Sequence, residues 1–218
     1  MPEPVTIVAV GGGIITIGVH LARRYFDAAK EVMDVMLGAI AAVIAFPILV
    51  ICAILIKLSS KGPILFTQIR VGQDGKTFKM YKLRTMRSDA EVGTGAVWAQ
   101  EGDPRIVPLC RWMRLSHVDE LPQLINVIKG EMSLVGPRPE RPEILAELEK
   151  SYPEVRSRLA VRPGITGLAQ IRNGYDTTVT AFRNKLRADL EYISKRKWSL
   201  ELGIIFKTLG KLRDKDSR

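Results

Sequence analysis

From Val35 to Ile56 the chain carries no charged residue, and at about 1.5 Å per residue this run is long enough to cross a bilayer core. Backbone groups in hydrocarbon must find their partners within the segment, so the run is read as a membrane helix. Two features argue against a plain crossing. Pro47 stands near the middle and removes a backbone donor, and basic residues flank both ends, with Arg23, Arg24 and Lys30 before and Lys57, Lys61 and Arg70 after. If positive charge marks the cytoplasmic side, both ends lie there. The expectation is a re-entrant hairpin over residues 26–58, broken near Pro47; a single kinked spanning helix is the competing reading.

The 218 residues, 46% of them hydrophobic, leave room for one further domain with a real core over residues 59–218. A net charge of +10 calls for an anionic partner: phosphate ligands, an acidic leaflet or nucleic acid. Aromatics are 6%, with neither a zinc-finger spacing nor the aromatic signature of an RNA-recognition strand, so phosphate and membrane lipid are favoured and nucleic acid is not expected. Cys52 lies in the apolar run and Cys110 in a basic segment; these settings argue against a structural disulfide and for a reducing compartment. His20 and His117 are too few and too far apart for a histidine zinc site. A metal here is a hard cation on carboxylates, which points to Mg²⁺.

Residues 1–25 form an apolar N-terminal segment to which no role is assigned; Val5 to Val19 is short, broken by glycines and without the basic start of a signal peptide. Ile64 to Val71 and Thr77 to Leu83 are β-prone and flank Gly72-Gln73-Asp74-Gly75, a hairpin signal. Pro122 to Lys129 reads as a brief helix stopped at Gly130. Glu140 to Lys150 and Thr180 to Lys195 read as helices, the second with Phe182, Leu186, Leu190 and Ile193 on one face. Leu200 to Leu212 mixes apolar and basic residues and could pack on the domain or lie on the membrane. The expected fold class is α+β: a membrane-anchored, mainly helical domain with a small β-hairpin and an N-terminal re-entrant membrane helix.

Asp119 and Glu120 stand together just before the Pro122 helix, with Arg114 upstream. The helix dipole and a nearby cation favour ionised carboxylates there, and such a pair can bind Mg²⁺ or supply an aspartate that attacks phosphorus. The ordinary alternative is a cap, since Ser116 and Asp119 match the Ser-x-x-Asp capping pattern. Gly136-Pro137-Arg138-Pro139 is a stiff loop that would present a guanidinium at little entropic cost, or else a rigid surface turn. In Arg162 to Gln170 the glycines would permit close backbone approach to a ligand, with Arg162 and Gln170 as donors. Lys79, Lys82 and Arg84 read as a solvated basic strand face.

Taken in order, Lys82-Leu83-Arg84-Thr85-Met86, Asp103-Pro104-Arg105, Asp119-Glu120-Leu121-Pro122-Gln123-Leu124, Gly136-Pro137-Arg138-Pro139 and Arg162-Pro163-Gly164-Ile165-Thr166-Gly167 closely resemble the bacterial sugar transferase family, the monotopic phosphoglycosyl transferases. The resemblance covers Lys30 to Phe206. It implies an enzyme of the bacterial inner membrane, with its catalytic domain on the cytoplasmic face, that moves a sugar 1-phosphate from a UDP-sugar to polyprenyl phosphate with Mg²⁺ and releases UMP, starting exopolysaccharide, capsule, O-antigen or glycoprotein glycan assembly. It implies that Asp119 is the nucleophile of a two-step reaction, that Glu120 is its partner in metal or proton handling, and that Arg138 is a phosphate ligand. Arg84, Arg114 and Arg162 would supply further cations against the diphosphate, and Gln170 a donor. Relatives carry Ser-Pro where this chain has Phe46-Pro47, and a small polar residue is common where His117 stands. Two other classes compete: a catalytically silent membrane module binding anionic lipid or nucleic acid, which leaves the acidic pair unexplained, and a transferase acting on a soluble sugar, which leaves the apolar run unexplained.

Overall fold

The computed structural model describes residues 13–87, 90, 103–172 and 179–213. One helix, α1 (Gly13–Ser59), takes in the apolar run and the second half of the N-terminal segment. Its helical backbone continues through Pro47. Proline at that position costs the helix one donor, which leaves the Val43 carbonyl without its usual partner four residues on, and the remaining backbone bonds carry the turn. α1 is long and apolar enough to cross a membrane. Its outer face exposes Val43, Ile44, Phe46, Ile51 and Leu58, an unbroken apolar surface of the kind that is covered by lipid or protein.

The opposite face of α1 lies on the domain. Lys30, Asp34, Ala45, Cys52 and Ile56 are buried along it, and a Cβ on Gly38 would come within 3.1 Å of the Val127 side chain. These positions recur at helical spacing, which is why one stripe of an otherwise apolar helix finds a protein partner from Lys30 to Ile56.

The hairpin forms as expected: β1 (Leu65–Val71) pairs antiparallel with β2 (Thr77–Leu83), Leu65 opposite Leu83 and Val71 opposite Thr77. Its turn places Asp74 (φ 55°) and Gly75 (φ 77°) in the left-handed region, which an Asp-Gly pair tolerates. Next come α2 (Arg111–Leu115), a 3₁₀ helix over Val118–Gln123 and α3 (Leu124–Ile128), which ends at Gly130 with φ 73°. β3 (Ser133–Val135) pairs in parallel with β4 (Gly164–Thr166), and between them lies α4 (Pro142–Ser151). α5 (Leu168–Arg172), α6 (Val179–Lys195) and α7 (Trp198–Arg213) follow. α7 buries Glu201 and Ile204 against the core while Leu202, Phe206 and Leu209 face outward, so it does pack on the domain.

Cys52 and Cys110 are both fully buried in one cluster with Ile56, Leu83, Val107 and Met113. Their sequence settings differ, yet the fold makes them members of the same apolar seat that holds the end of α1.

Two loops cross near β3 and β4. Gly136 donates its N–H to Thr166 O at 2.8 Å, and Gly164 donates to Pro137 O at 2.9 Å. A Cβ on Gly164 would stand 2.1 Å from Gly136 N, and one on Gly167 2.2 Å from Gly136 O. The glycines of the second loop therefore serve the approach of one backbone to another, where the sequence had suggested a ligand. Gly164→Ala is expected to lower stability by about 2 kcal/mol or more, as overpacking against immobile backbone does. Gly203→Ala, with nothing within 4 Å of its Cβ, should be neutral or up to about 1 kcal/mol stabilising through helix propensity. Thermal denaturation of both variants in detergent checks the contrast; equal behaviour would refute the crossing.

Candidate active site

Asn126, fully buried, ties α3 to β2. Its amide nitrogen donates to Lys79 O at 2.8 Å and to Glu131 Oε2 at 2.7 Å, and its amide oxygen accepts the Tyr81 N–H at 3.2 Å. This staple brings the 3₁₀ helix alongside the strand. On β2 the alternation of side chains puts Phe78, Met80 and Lys82 on one face, and the first two are buried. Lys82 therefore points inward and meets Glu120 at 2.8 Å, whereas Lys79 is exposed.

Asp119 and Glu120 lie in the first turn of the 3₁₀ helix, inside it and not ahead of it. The capping alternative fails: no side chain caps this helix, and the Ser116 hydroxyl donates backwards to Trp112 O at 2.8 Å. His117 takes the cap position with a left-handed backbone (φ 55°, ψ 17°), and its carbonyl accepts the Glu120 N–H at 3.1 Å. A non-glycine residue in that region is uncommon and marks a locally constrained turn.

Glu120 is gripped from two sides. Arg138 places Nη2 2.5 Å from Oε1 and Nη1 3.2 Å from Oε2, a two-pronged contact, while Lys82 donates to Oε1 at 2.8 Å. Burial alone would raise its pKa, but Arg138 and Lys82 hold the carboxyl well below the usual range. Burial conversely lowers Lys82 from the ordinary lysine value, against the pull of Glu120. Asp119 is different. It is 6% exposed, and no hydrogen bond or ion pair reaches its carboxylate among the described residues. Burial, then the Glu120 charge, push it up to about 6, opposed by Lys82, Arg114 and Arg138. The pair that the sequence reads as uniformly ionised by a dipole and a cation is thus split into one satisfied carboxylate and one exposed to its neighbours' field.

The arginines also separate. Arg114 stands by Asp119, its Nη1 3.5 Å from Thr85 Oγ1. Arg138 belongs to the pair through Glu120. Arg84, expected at the substrate, is buried and spends its guanidinium on Lys61 O at 2.6 Å and Ser60 O at 2.9 Å, closing the C-terminal end of α1. Arg162 pairs with Glu31 of α1 at 2.7 Å. Gln170 donates to Ile165 O at 2.9 Å and braces its own loop. These three residues are not brought to the acidic pair. Two that sequence reasoning passed over support it: Arg158, buried, pairs with Asp189 at 2.7 Å and donates to Arg138 O at 2.9 Å, and Arg70 donates to Pro139 O at 2.8 Å.

No group of three or more His, Cys, Asp or Glu able to hold a metal occurs among the described residues. Two neighbouring carboxylates, one with its oxygens unengaged, nonetheless fit the way Mg²⁺ is bound with phosphates, where one or two carboxylates suffice and the phosphate oxygens complete the shell.

A family model described as bacterial sugar transferase matches residues 25–215. The chain is 41% identical over 204 residues to the UDP-glucose:undecaprenyl-phosphate glucose-1-phosphate transferase of Caulobacter vibrioides, covering 92% of this chain and 75% of that protein. It is 40% identical over 180 residues to the UDP-N-acetylgalactosamine-undecaprenyl-phosphate N-acetylgalactosaminephosphotransferase of Aeromonas hydrophila, covering 83% of this chain and 42% of that protein. A putative undecaprenyl-phosphate N-acetylgalactosaminyl 1-phosphate transferase of Bacillus subtilis is 48% identical over 136 residues, 62% of this chain and 75% of the relative.

Keeping Asp119 ionised in its buried position costs about 3 kcal/mol at neutral pH, from its rise above the ordinary value. A raised folded-state pKa makes a contribution that is fully present below the unfolded value near 4 and lost as pH climbs through about 6. Asp119→Asn should therefore raise thermal stability at pH 7 to 8, with the gain shrinking toward zero by about pH 4. Melting curves across that range check it; a variant less stable than the parent at pH 8 would mean that Asp119 is held by partners after all.

Proposed function

Since the chain belongs to the bacterial sugar transferase family, we propose that it transfers a sugar 1-phosphate from a UDP-sugar to undecaprenyl phosphate and so begins exopolysaccharide or related glycan assembly. The observation that carries this reading is the split acidic pair: a buried Asp119 that no hydrogen bond or ion pair engages among the described residues, beside a Glu120 fixed by Lys82 and Arg138. An Asp119 oxygen attacks the sugar-bearing phosphorus, the bond from that phosphorus to the bridging oxygen breaks, and UMP leaves with the bridging oxygen. A phosphate oxygen of the lipid then attacks the same phosphorus, and the carboxylate is released as the polyprenyl diphosphate sugar forms. Each step exchanges one P–O bond for another, and Asp119 returns to its starting state.

Arg114 and Arg138 stand beside the acidic pair, where their charge favours an anionic diphosphate, and Arg138 keeps 37% of its side chain exposed while its fork grips Glu120. Asp119 and Glu120 would hold Mg²⁺ together with the donor phosphates, and the ion would screen their charge. Names of the relatives include both glucose and N-acetylgalactosamine phosphates, so the donor class is a UDP-sugar with the sugar left free.

α1 supplies the membrane association. Its base at Lys30 and its far end at Ser60 both join the domain that carries Asp119, which supports a chain whose ends stay on the cytoplasmic side while the outer apolar face of α1 sinks into that leaflet. Cysteines at the exposed Arg24 and Lys61, in a chain lacking Cys52 and Cys110, should both label from the cytoplasmic side only, using a membrane-impermeant thiol reagent on intact cells and inverted vesicles. Labelling from opposite sides would establish a spanning helix.

Purified protein given UDP-sugars and undecaprenyl phosphate should release UMP, with a first turnover of UMP before lipid is added. Asp119→Asn should reduce both to background, and Arg138→Lys should lower kcat/KM by about tenfold or more, since lysine cannot reproduce the two-pronged contact. UMP release at the parent rate by the asparagine variant would remove Asp119 from the reaction.

A further inference from the structure

A second cluster of charged side chains lies at the base of α1, and none of it enters the steps above. Lys30 Nζ sits 3.1 and 3.2 Å from the two oxygens of Asp34 and 2.9 Å from Glu201 Oε2 on α7. The Tyr192 hydroxyl on α6 lies 2.7 Å from Glu201 Oε1 and 2.9 Å from Val135 O. The Ser133 hydroxyl reaches Asp34 Oδ2 at 2.7 Å and accepts the Val135 N–H at 3.2 Å, and the Leu134 N–H points to Asp34 Oδ1 at 3.4 Å. All five side-chain members are at most 6% exposed, and Glu201 is fully buried.

One cation and two carboxylates out of water are costly, and a well-packed apolar set would be at least as stable. What such a cluster adds is direction, because hydrogen bonds fix a register that apolar contacts leave slack. The register here is that of β3. This strand has three residues and, among the described residues, pairs with β4 alone, so a single neighbouring strand would hold it weakly. Asp34 and Tyr192 bind Ser133, Leu134 and Val135 in turn, each through a backbone or hydroxyl group. The chain then runs directly into Gly136-Pro137-Arg138, where the fixed backbone of Pro137 ties the arginine to the strand that ends at Val135.

We infer that Asp34 and Ser133, with Lys30, Glu201 and Tyr192 behind them, form a positioning site that sets Arg138 against Glu120 and makes its placement depend on the seating of α1. This rests on the reading that Arg138 serves the donor diphosphate. Asp34 and Ser133 are positioning residues: neither touches the acidic pair, and both act through Arg138.

Ser133→Ala removes the hydroxyl link with little change in volume, and Asp34→Asn keeps the shape while removing the charge. Each should lower kcat/KM for the UDP-sugar by about tenfold, and in an Arg138→Lys background Ser133→Ala should add less than about twofold, because residues acting through one another are not additive. Losses that multiply in the double variant would overturn the inference, as a purely structural role predicts that outcome. Hydrogen exchange gives a reading free of turnover: the peptide spanning residues 134–139 should exchange several-fold faster in both variants than in the parent. Unchanged exchange would overturn the inference even with full activity. A parent protein that releases no UMP from any UDP-sugar would instead refute the transfer reaction and leave the exchange experiment to decide the positioning site.

Discussion

The rest of the site depends on the burial of Glu120. A carboxylate at its depth is tolerated only with cations in contact, and it draws them from two distant parts of the chain, Lys82 on β2 and Arg138 in the proline loop. Satisfying Glu120 in this way brings the hairpin, the 3₁₀ helix and the loop to one point. It also uses up the nearest partners that Asp119 could have had among the described residues, and the left-handed His117 opens the turn that carries both carboxylates.

Behind that first ring stands a second one whose work is backbone geometry. Arg70 and Arg158 donate to carbonyls of the proline loop, Arg84 to carbonyls at the end of α1, and the glycines at 136, 164 and 167 let two loops cross at van der Waals distance. A basic protein of net charge +10 would seem to hold its arginines for phosphate alone. Several are in fact the donors that a compact domain with short strands needs for carbonyls its sheets cannot reach.

The hairpin, the stop at Gly130 and the long C-terminal helices were legible in the sequence, because turn chemistry and periodicity are local signals. The acidic pair and Arg138 were legible as well, through the order of the motifs. Lys82 could have been found: it shares strand parity with Phe78 and Met80, and a lysine on the inward face asks for a buried acid. Arg84, Arg162 and Gln170 could not be sorted from Arg138, since each sits in an equally suggestive motif and only their folded-state contacts with Ser60, Glu31 and Ile165 distinguish them. Continuity of α1 through Pro47 was hidden for a similar reason. A proline weakens one turn locally, whereas the stripe of contacts that keeps the helix whole is spread over the domain.

That stripe bears on reach. Val118, the residue before Asp119, packs against the cluster that includes Cys52 and Ile56 of α1, so the Asp119 carboxylate is tied to the same helix whose outer face is apolar. Helix and carboxylate therefore share one height. For the proposed transfer, in which a lipid phosphate is confined to a plane, a short rigid link between the apolar face and Asp119 would work as a depth gauge: a bilayer that receives α1 would also fix how far above the hydrocarbon that carboxylate stands.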